Sequence, residues 1–460
     1  MSINFSAFEI GRRALNANQY GINITGQNIA NVNTPGYSRR QAILQESTTA
    51  ELGVYRVGTG VTVHGVQSFR DNLIQSRIQT ETGIAGRLTA FRDTMSPVEV
   101  ALQGSDSGGL QNAMGQFFGA FRDLDANPNS VSLRSVVVQR GVNLVNSFQA
   151  TRSKLDNVRI DTDGQIRTAV DQVNTLAEHI ASLNGEIRNA DSVGADTGAL
   201  KDQRSELIEQ ISDLAGVHQT INADGTVNLT IGDGRSLVSG NASFKLTAST
   251  TPPYGFATIT LDGQPANFEE GKIRGFQDAM TETTNQITSL DGLADAMMQR
   301  VNGLHISGTD LDGASGDKFF TSGSPTTAGN IAVNPLLVAN PRMVVASPVT
   351  QPGQSGTVAG QIANLLTDQS TQVGSKTGSF SSIYGSMLTD AGEKINSAES
   401  DLQTQAAIIA QTTAQRDAVS GVSLDEEAIN LMQYQKAFEA AARFIKVADE
   451  MTQTILSLGQ

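Results

Sequence analysis

The sequence predicts a mainly α, elongated multidomain protein with a small β insertion, whose N- and C-terminal helices pair as a coiled coil. Three observations carry that expectation. The C-terminal segment repeats apolar side chains at heptad spacing. A helical period runs through most of residues 70–420. It gives way to strict alternation at Gly216 and returns after Gly271.

Residues 3–30 read as a helix with two seven-residue series, Ile3/Ile10/Ala17/Ile24 and Phe8/Leu15/Ile22/Ile29. The series lie roughly 140° apart, a broader apolar surface than one partner helix needs. The helix is expected to stop at Asn31–Tyr37, where Pro35 and Gly36 suit the central positions of a type II turn. Residues 38–68 set Val54, Val57, Val61, Val63 and Val66 among glycines, which suggests short strands before a helix from about Arg70.

Leu110, Met114, Phe117, Phe121 and Leu124 then step by fours and threes until Asn127-Pro128 breaks the run. Val137, Leu144, Phe148, Leu155 and Val158 continue on a following helix, and Val173, Leu176, Ile180, Leu183 and Ile187 form another seam. A Gly/Asp-rich break at 191–198 leads to Leu200, Leu207, Ile211 and Leu214, an αα-hairpin. After Gly216 the alternation of Val227, Leu229 and Ile231 follows a hairpin signal at Asn222-Ala223-Asp224-Gly225, and Asp262-Gly263 marks a second turn. Helical period resumes from Ile273 to Leu304. Residues 305–356, rich in Gly, Ser, Thr, Pro and Asp, suggest irregular structure, and 358–416 return to helix.

The last element, 424–458, carries Tyr434, Phe438, Ala441, Ile445, Ala448, Thr452 and Ile455 at alternating four- and three-residue steps. It would run roughly 50 Å. Ser423 and Glu426 have capping-box spacing, and Asp425, Glu426 and Glu427 favour a helix start. Ala437, Ala440, Ala441 and Ala442 leave room for a neighbouring backbone. Residues 1–40 carry a net charge of +3 and residues 421–460 a net −3, as expected of two helices that pair. The expected division is 1–69 with 421–460 as a terminal coiled-coil unit, and 70–215 with 271–304 and 357–420 as a helical bundle. Residues 216–270 form a small β-rich insertion and 305–356 an irregular excursion.

Composition narrows the function. The whole chain is at −14 with no basic stripe, which speaks against nucleic acid as partner. No apolar run approaches the roughly 18 residues of a membrane span, and the N-terminus lacks a signal-peptide pattern. Cysteine is absent, as suits an extracellular setting. The four histidines, His64, His179, His218 and His305, lie in different elements without ligand spacing. Asp310–Asp317 imitates a calcium loop, but its glycine comes too early for the EF-hand spacing and no Glu closes it. Gly58-Thr59-Gly60 and Gly232-Asp233-Gly234 lack the third glycine of a dinucleotide site, and neither a Walker lysine nor a nucleophile elbow is present. The expectation is a chain without enzymatic chemistry and without cofactor or metal.

Asn28-Ile29-Ala30-Asn31-Val32-Asn33-Thr34-Pro35-Gly36-Tyr37-Ser38-Arg39-Arg40 resembles the signature of bacterial flagellar rod, hook and hook-associated proteins. The stretch Ser420–Glu427, continuing to Tyr434-Gln435 and Phe438, resembles the closing motif of that superfamily. Pro35-Gly36-Tyr37, where rod and hook proteins tend to have threonine-glycine-phenylalanine, places the resemblance on the hook-associated side. Gly58–Val63 and Gly65-Val66, ahead of Arg70-Asp71, also look like that branch. The strong matches cover about 110 residues at the two ends.

The resemblance implies a structural subunit that polymerises through its ends, at the distal hook, where hook joins filament. It implies copies of itself in a helical ring, the hook protein, and the next hook-associated junction protein as partners. It also implies a flagellar export chaperone on the C-terminal helix, and an extracellular location reached through the flagellar export channel without a cleaved signal. Arg12, Arg13, Ala30, Asn31, Asn33, Pro35, Gly36, Tyr37, Leu424, Glu426, Tyr434, Phe438 and Ile445 are the interface residues it points to. The uncharged Asn16, Asn18, Gln19, Asn23, Gln27, Asn28, Asn430, Gln433, Gln435 and Gln453 suit either an ordinary solvated face or subunits packed around a central channel. The alternatives are a hook or rod subunit of the same superfamily, or a secreted binding or hydrolytic protein working through the β insertion.

Overall fold

A computed structural model describes residues 2–52, 55–104, 109–250, 257–351, 353 and 355–458. Val54, expected in a strand, lies outside the described residues, as do the side chains of Ile3 and Ile455 at the outer ends of the two seams.

Helix α1 (Ser2–Ala30) is followed by the expected turn. Gly36 takes φ +76° and the Tyr37 amide donates to the Thr34 carbonyl at 3.2 Å, as a type II turn on Pro35-Gly36 requires. Strands β1 (Arg40–Glu46) and β4 (Val61–Ser68) form an antiparallel pair, and the short β2 (Ala50–Leu52) and β3 (Tyr55–Val57) make a second hairpin between them. Helix α2 (Asn72–Gln103) starts at Asp71, whose carboxylate accepts the Leu73 and Ile74 amides. Helix α3 (Leu110–Ala126) stops where Asn127-Pro128 predicts.

Helix α4 (Val131–Ser192) is one continuous helix of 62 residues, where the sequence suggests two successive seams. Asp161–Gly164 lies between those seams and contains no proline. One glycine costs a helix only about 1 kcal/mol, too little to break it. Helix α5 (Gly198–Ala215) returns antiparallel to its C-terminal part.

The insertion forms a four-stranded sheet, β5 (His218–Ile221), β6 (Val227–Thr230), β7 (Ser236–Ser239) and β8 (Ala242–Ser243), in that order. Beside it lies a three-stranded sheet of β9 (Leu246–Thr250), β10 (Ala257–Leu261) and β11 (Gln264–Pro265). Both predicted turns are present, with Gly225 at φ +78° and Asp262-Gly263 at +50° and +75°. Val227, Leu229, Ile231, Leu246, Ile259 and Leu261 pack on Val170, Val173, Ile180, Ile211 and Ile273 of the surrounding helices. The β insertion therefore has no core of its own.

Helix α6 (Gly271–Ile306) leads into the excursion, which holds the paired β12 (Gly308–Thr309) and β15 (Ser347–Pro348). Within it lie the paired β13 (Phe320–Thr321) and β14 (Ala332–Val333), then helix α7 (Pro335–Ala339) and a 3₁₀ turn at Pro341–Met343. Its backbone is irregular, as expected, but its side chains are core. Phe319 and Phe320 join Phe117, Phe118 and Phe121 in a ring cluster with centroids 4.8–5.7 Å apart. Helix was expected throughout 358–416. Instead α8 (Thr357–Asn364) is followed by a hairpin of β16 (Thr371–Val373) and β17 (Lys376–Gly378) before α9 (Phe380–Ser420). Gly374, at φ +58° in a two-residue turn, permits that reversal. Helix α10 (Leu424–Leu458) closes the chain.

His305 pins the excursion to α6. Its Nδ1–H donates to the Asp317 carbonyl at 2.5 Å, and Nε2 accepts the Val345 amide at 2.9 Å. Burial holds its pKa down to about 4 from 6.5. Between those values the unfolded state binds a proton that the folded state refuses, so stability falls as pH drops through that window. The loss is about 3 kcal/mol by linkage. In urea unfolding as a function of pH, His305→Gln is expected to flatten the curve between pH 6.5 and 4; an unchanged slope contradicts this role.

The acidic loop is internally satisfied. Asp310 Oδ1 accepts the Asp312 and Ala314 amides at 2.9 and 2.8 Å, and Asp312 pairs with Arg342.

Candidate functional site: the paired chain ends

Helices α1 and α10 lie against each other along most of their length. On α10 the seam turned inward runs Glu427, Leu431, Tyr434, Phe438, Ala441, Ile445, Ala448 and Thr452, the predicted series with one further heptad at its start, and Asn430 is half-buried beside it. On α1 the residues turned inward are Gly11, Ala17, Gly21, Ile24 and Asn28, the last four at three- and four-residue steps.

Close approach depends on glycine in α1, where the sequence pointed to alanines in α10. A Cβ on Gly21 would sit 2.6 Å from the Tyr434 ring, and one on Gly11 would run into Ile445. Of the four alanines only Ala441 faces α1; Ala437, Ala440 and Ala442 are exposed. Gly21→Val should loosen the pair by about 1–3 kcal/mol, as overpacking does. Faster amide exchange along α10, partly rescued by Tyr434→Ala, checks it.

Not all of the apolar surface of α1 is used against α10. Ile10 meets the β1–β4 connection, where Gly60 comes within 3.3 Å of its Cα when given a Cβ. Arg13 donates to Ser47 and, at 3.0 Å, to Thr59. Leu15, Ile22 and Ile29 stay half-buried and Phe8 is exposed. On α10, Ile429, Met432, Phe444, Val447 and Met451 form a second apolar stripe, 46–60 % exposed. It lies about a third of a turn round from the seam.

A polar cluster closes the pair beside the turn. Asn28, 1 % exposed, donates through Nδ2 to the Arg40 carbonyl at 2.8 Å and to Glu427 Oε2 at 3.0 Å. Its Oδ1 accepts the Tyr37 hydroxyl at 2.8 Å and the Arg40 amide at 3.1 Å. Arg39 Nε donates to Glu427 Oε1 at 2.8 Å, and its Nη1 pairs with Glu426 at 2.9 Å. Burial raises the Tyr37 pKa above the usual tyrosine range, which keeps the hydroxyl a donor.

The expected complementarity of the two ends is therefore local. Among the four N-terminal arginines only Arg39 reaches α10; Arg12 pairs with Glu9 on its own helix, and Arg40 turns to Asp202. Lys436 and Lys446 pair with Glu439 and Glu450 on their own helix. Of the expected interface residues, Tyr37, Glu426, Tyr434, Phe438 and Ile445 are brought together here. Asn31 caps α1 by donating to the Gln27 carbonyl at 2.9 Å, while Ala30, Asn33, Pro35, Gly36 and Leu424 are exposed. Asn28, Glu427, Gly11 and Gly21 were missed. Extending the seam one heptad back from Tyr434 lands on Glu427, and extending α1's from Gly21 lands on Asn28.

Residues 8–37 match the family described as flagella basal body rod protein, and 414–458 that described as flagellar basal body rod FlgEFG protein C-terminal. The chain is thus a structural, axial-type component of the bacterial flagellum. Residues 95–320 match the flagellar hook-associated protein FlgK helical domain. Flagellar hook-associated protein 1 of Bacillus subtilis (strain 168) is 28% identical over 504 aligned residues, covering 99% of both chains. That of Escherichia coli (strain K12) is 26% identical over 96% of this chain and 98% of its own. The flagellar hook junction protein FlgK from Burkholderia pseudomallei shares the fold at a TM-score of 0.66 and 14% identity, over 75% of this chain and all of that one. Over nearly its whole length the chain is thus similar to flagellar hook-associated protein 1.

Proposed function

We propose that this chain assembles at the distal end of the hook and forms the junction that joins hook to filament. It acts by position, without catalysis. Copies of the chain form a helical ring on the hook protein and present a surface to the next hook-associated protein. Residues 1–69 with 421–460 serve as its polymerisation unit. Within that unit Arg12, Ala30, Asn33, Pro35, Gly36 and Leu424, exposed in the monomer, meet neighbouring subunits.

The observation that carries this reading is the pair of apolar faces left over once α1 and α10 have joined. An exposed row such as Ile429, Met432, Phe444, Val447 and Met451 is costly in a lone soluble chain and is expected of a surface awaiting a partner. Before assembly the same α10 stripe suits an export chaperone, which hands the chain to the flagellar export channel without a cleaved signal. In a strain lacking its own copy, the chain should restore filaments and be recovered at low copy number from purified hook–filament preparations. Recovery from the rod, or from the medium alone with filaments still missing, overturns the reading.

A further inference from the structure

Arg39 and Arg40 are consecutive at the entry to β1, where neighbouring side chains point to opposite sides. Arg39 turns to α10, and its backbone amide donates to the carbonyl of Ser420, the last residue of α9, at 2.9 Å. Arg40 turns the other way and donates to Asp202 Oδ2 on α5 at 2.6 Å. Arg70, just ahead of α2, donates to the other oxygen of the same carboxylate. It also donates to the Lys201 carbonyl at 2.9 Å and Ser205 Oγ at 2.8 Å. The side chains are little exposed, 7 % for Arg40, 12 % for Asp202 and 17 % for Arg70. Gly198, the first residue of α5, leaves the room Arg40 needs; a Cβ there would lie 2.6 Å from its Nε.

We infer that Asp202 is the keystone of an elbow that sets the angle between the paired chain ends and the helical bundle. One carboxylate holds a guanidinium from each side. Neutralised, it would leave two largely buried cations facing each other with little solvent screening, and only the longer 3.9 Å contact of Arg40 with Asp196 to offset them. Elsewhere the two parts are joined by the chain crossings near residues 69–71 and 420–423 and by few side-chain contacts. A cleft of about 490 Å³ lies at the same bend, lined among others by Pro35, Tyr37, Gln75, Glu209 and Arg416. With open space there, side-chain packing does not hold the angle, and the charge cluster does.

The chain has no cysteine, so pairs of spin labels can be placed by single substitutions in the full-length protein. Exposed Gln45 on β1 and Gln203 on α5 span the elbow, while Gln27 with Gln45 and Gln172 with Gln203 report on each part alone. The unaltered elbow is expected to show one narrow distance peak across the bend. Asp202→Asn should lose that peak to a broad distribution while both control pairs stay narrow. Arg40→Gln leaves Arg70 on Asp202 and the bundle untouched, so it should have the same effect even if Asp202→Asn misfolds. A narrow peak across the bend in Arg40→Gln, or broadening of the control pairs in that variant, overturns the inference.

Discussion

Phe438→Glu together with Ile445→Glu is expected to leave residues 70–420 folded and to abolish incorporation at the hook tip. Both side chains are half-buried on the α10 seam, and Ile445 lies directly over Gly11 of α1. A carboxylate at either place must be desolvated against α1 or hold the helices apart, and each alternative costs several kcal/mol. The cores on α2 to α9 contain no residue of α1 or α10, so far-ultraviolet circular dichroism and urea unfolding of the bundle should change little. Cells carrying the double variant should show bare hooks, with filament subunits lost to the medium. Because a chaperone on α10 would be affected too, secretion of the variant has to be measured alongside. An exported variant that still carries filaments contradicts the paired-end account.

Glu427→Leu is expected to be the most damaging single change in the pair. Its carboxylate, 1 % exposed as a residue, accepts from Arg39 and Asn28, and Asn28 in turn holds Tyr37 and the start of β1. Removing one member of a buried pair costs about 3–5 kcal/mol, and Arg39's partial exposure and second partner Glu426 place this case at or below the lower end. Glu427→Gln keeps acceptors for both donors and should cost less. Amide exchange of residues 20–46 and 424–440 is the readout: strong loss of protection in Glu427→Leu and weak loss in Glu427→Gln. Equal protection in both variants and the parent shows that the cluster is decorative.

Most of the helical architecture was legible because its signals are local. Heptad steps marked the α10 seam residue by residue, Asn127-Pro128 ended α3, and Asp262-Gly263 turned β10 into β11. What was not legible depends on what a segment packs against. The excursion at 305–356 has a loop's composition, yet Phe319, Phe320, Ile331 and Val344–Ala346 complete the main core, because α3, α4 and α6 leave a gap for them. Residues 371–378 hold too few apolar positions to show an alternation, so a hairpin read as helix. At the paired ends the apolar half of the seam was visible and the polar half was not. Net charge suggested attraction along the whole pair, whereas Arg12, Arg13 and Arg40 are spent on nearer partners. Asn28 read as one of many neutral polar positions and Glu427 as a helix-start charge until the fold placed them opposite each other.

The most direct test of the account is an electron cryomicroscopy reconstruction of the hook–filament junction from cells that depend on this chain. The account predicts a ring of its copies at that boundary, with α1 and α10 paired within each copy. The α10 stripe from Ile429 to Met451 should be covered by a neighbouring subunit. A junction without this chain, or one in which α1 and α10 of the same copy lie apart, would contradict it.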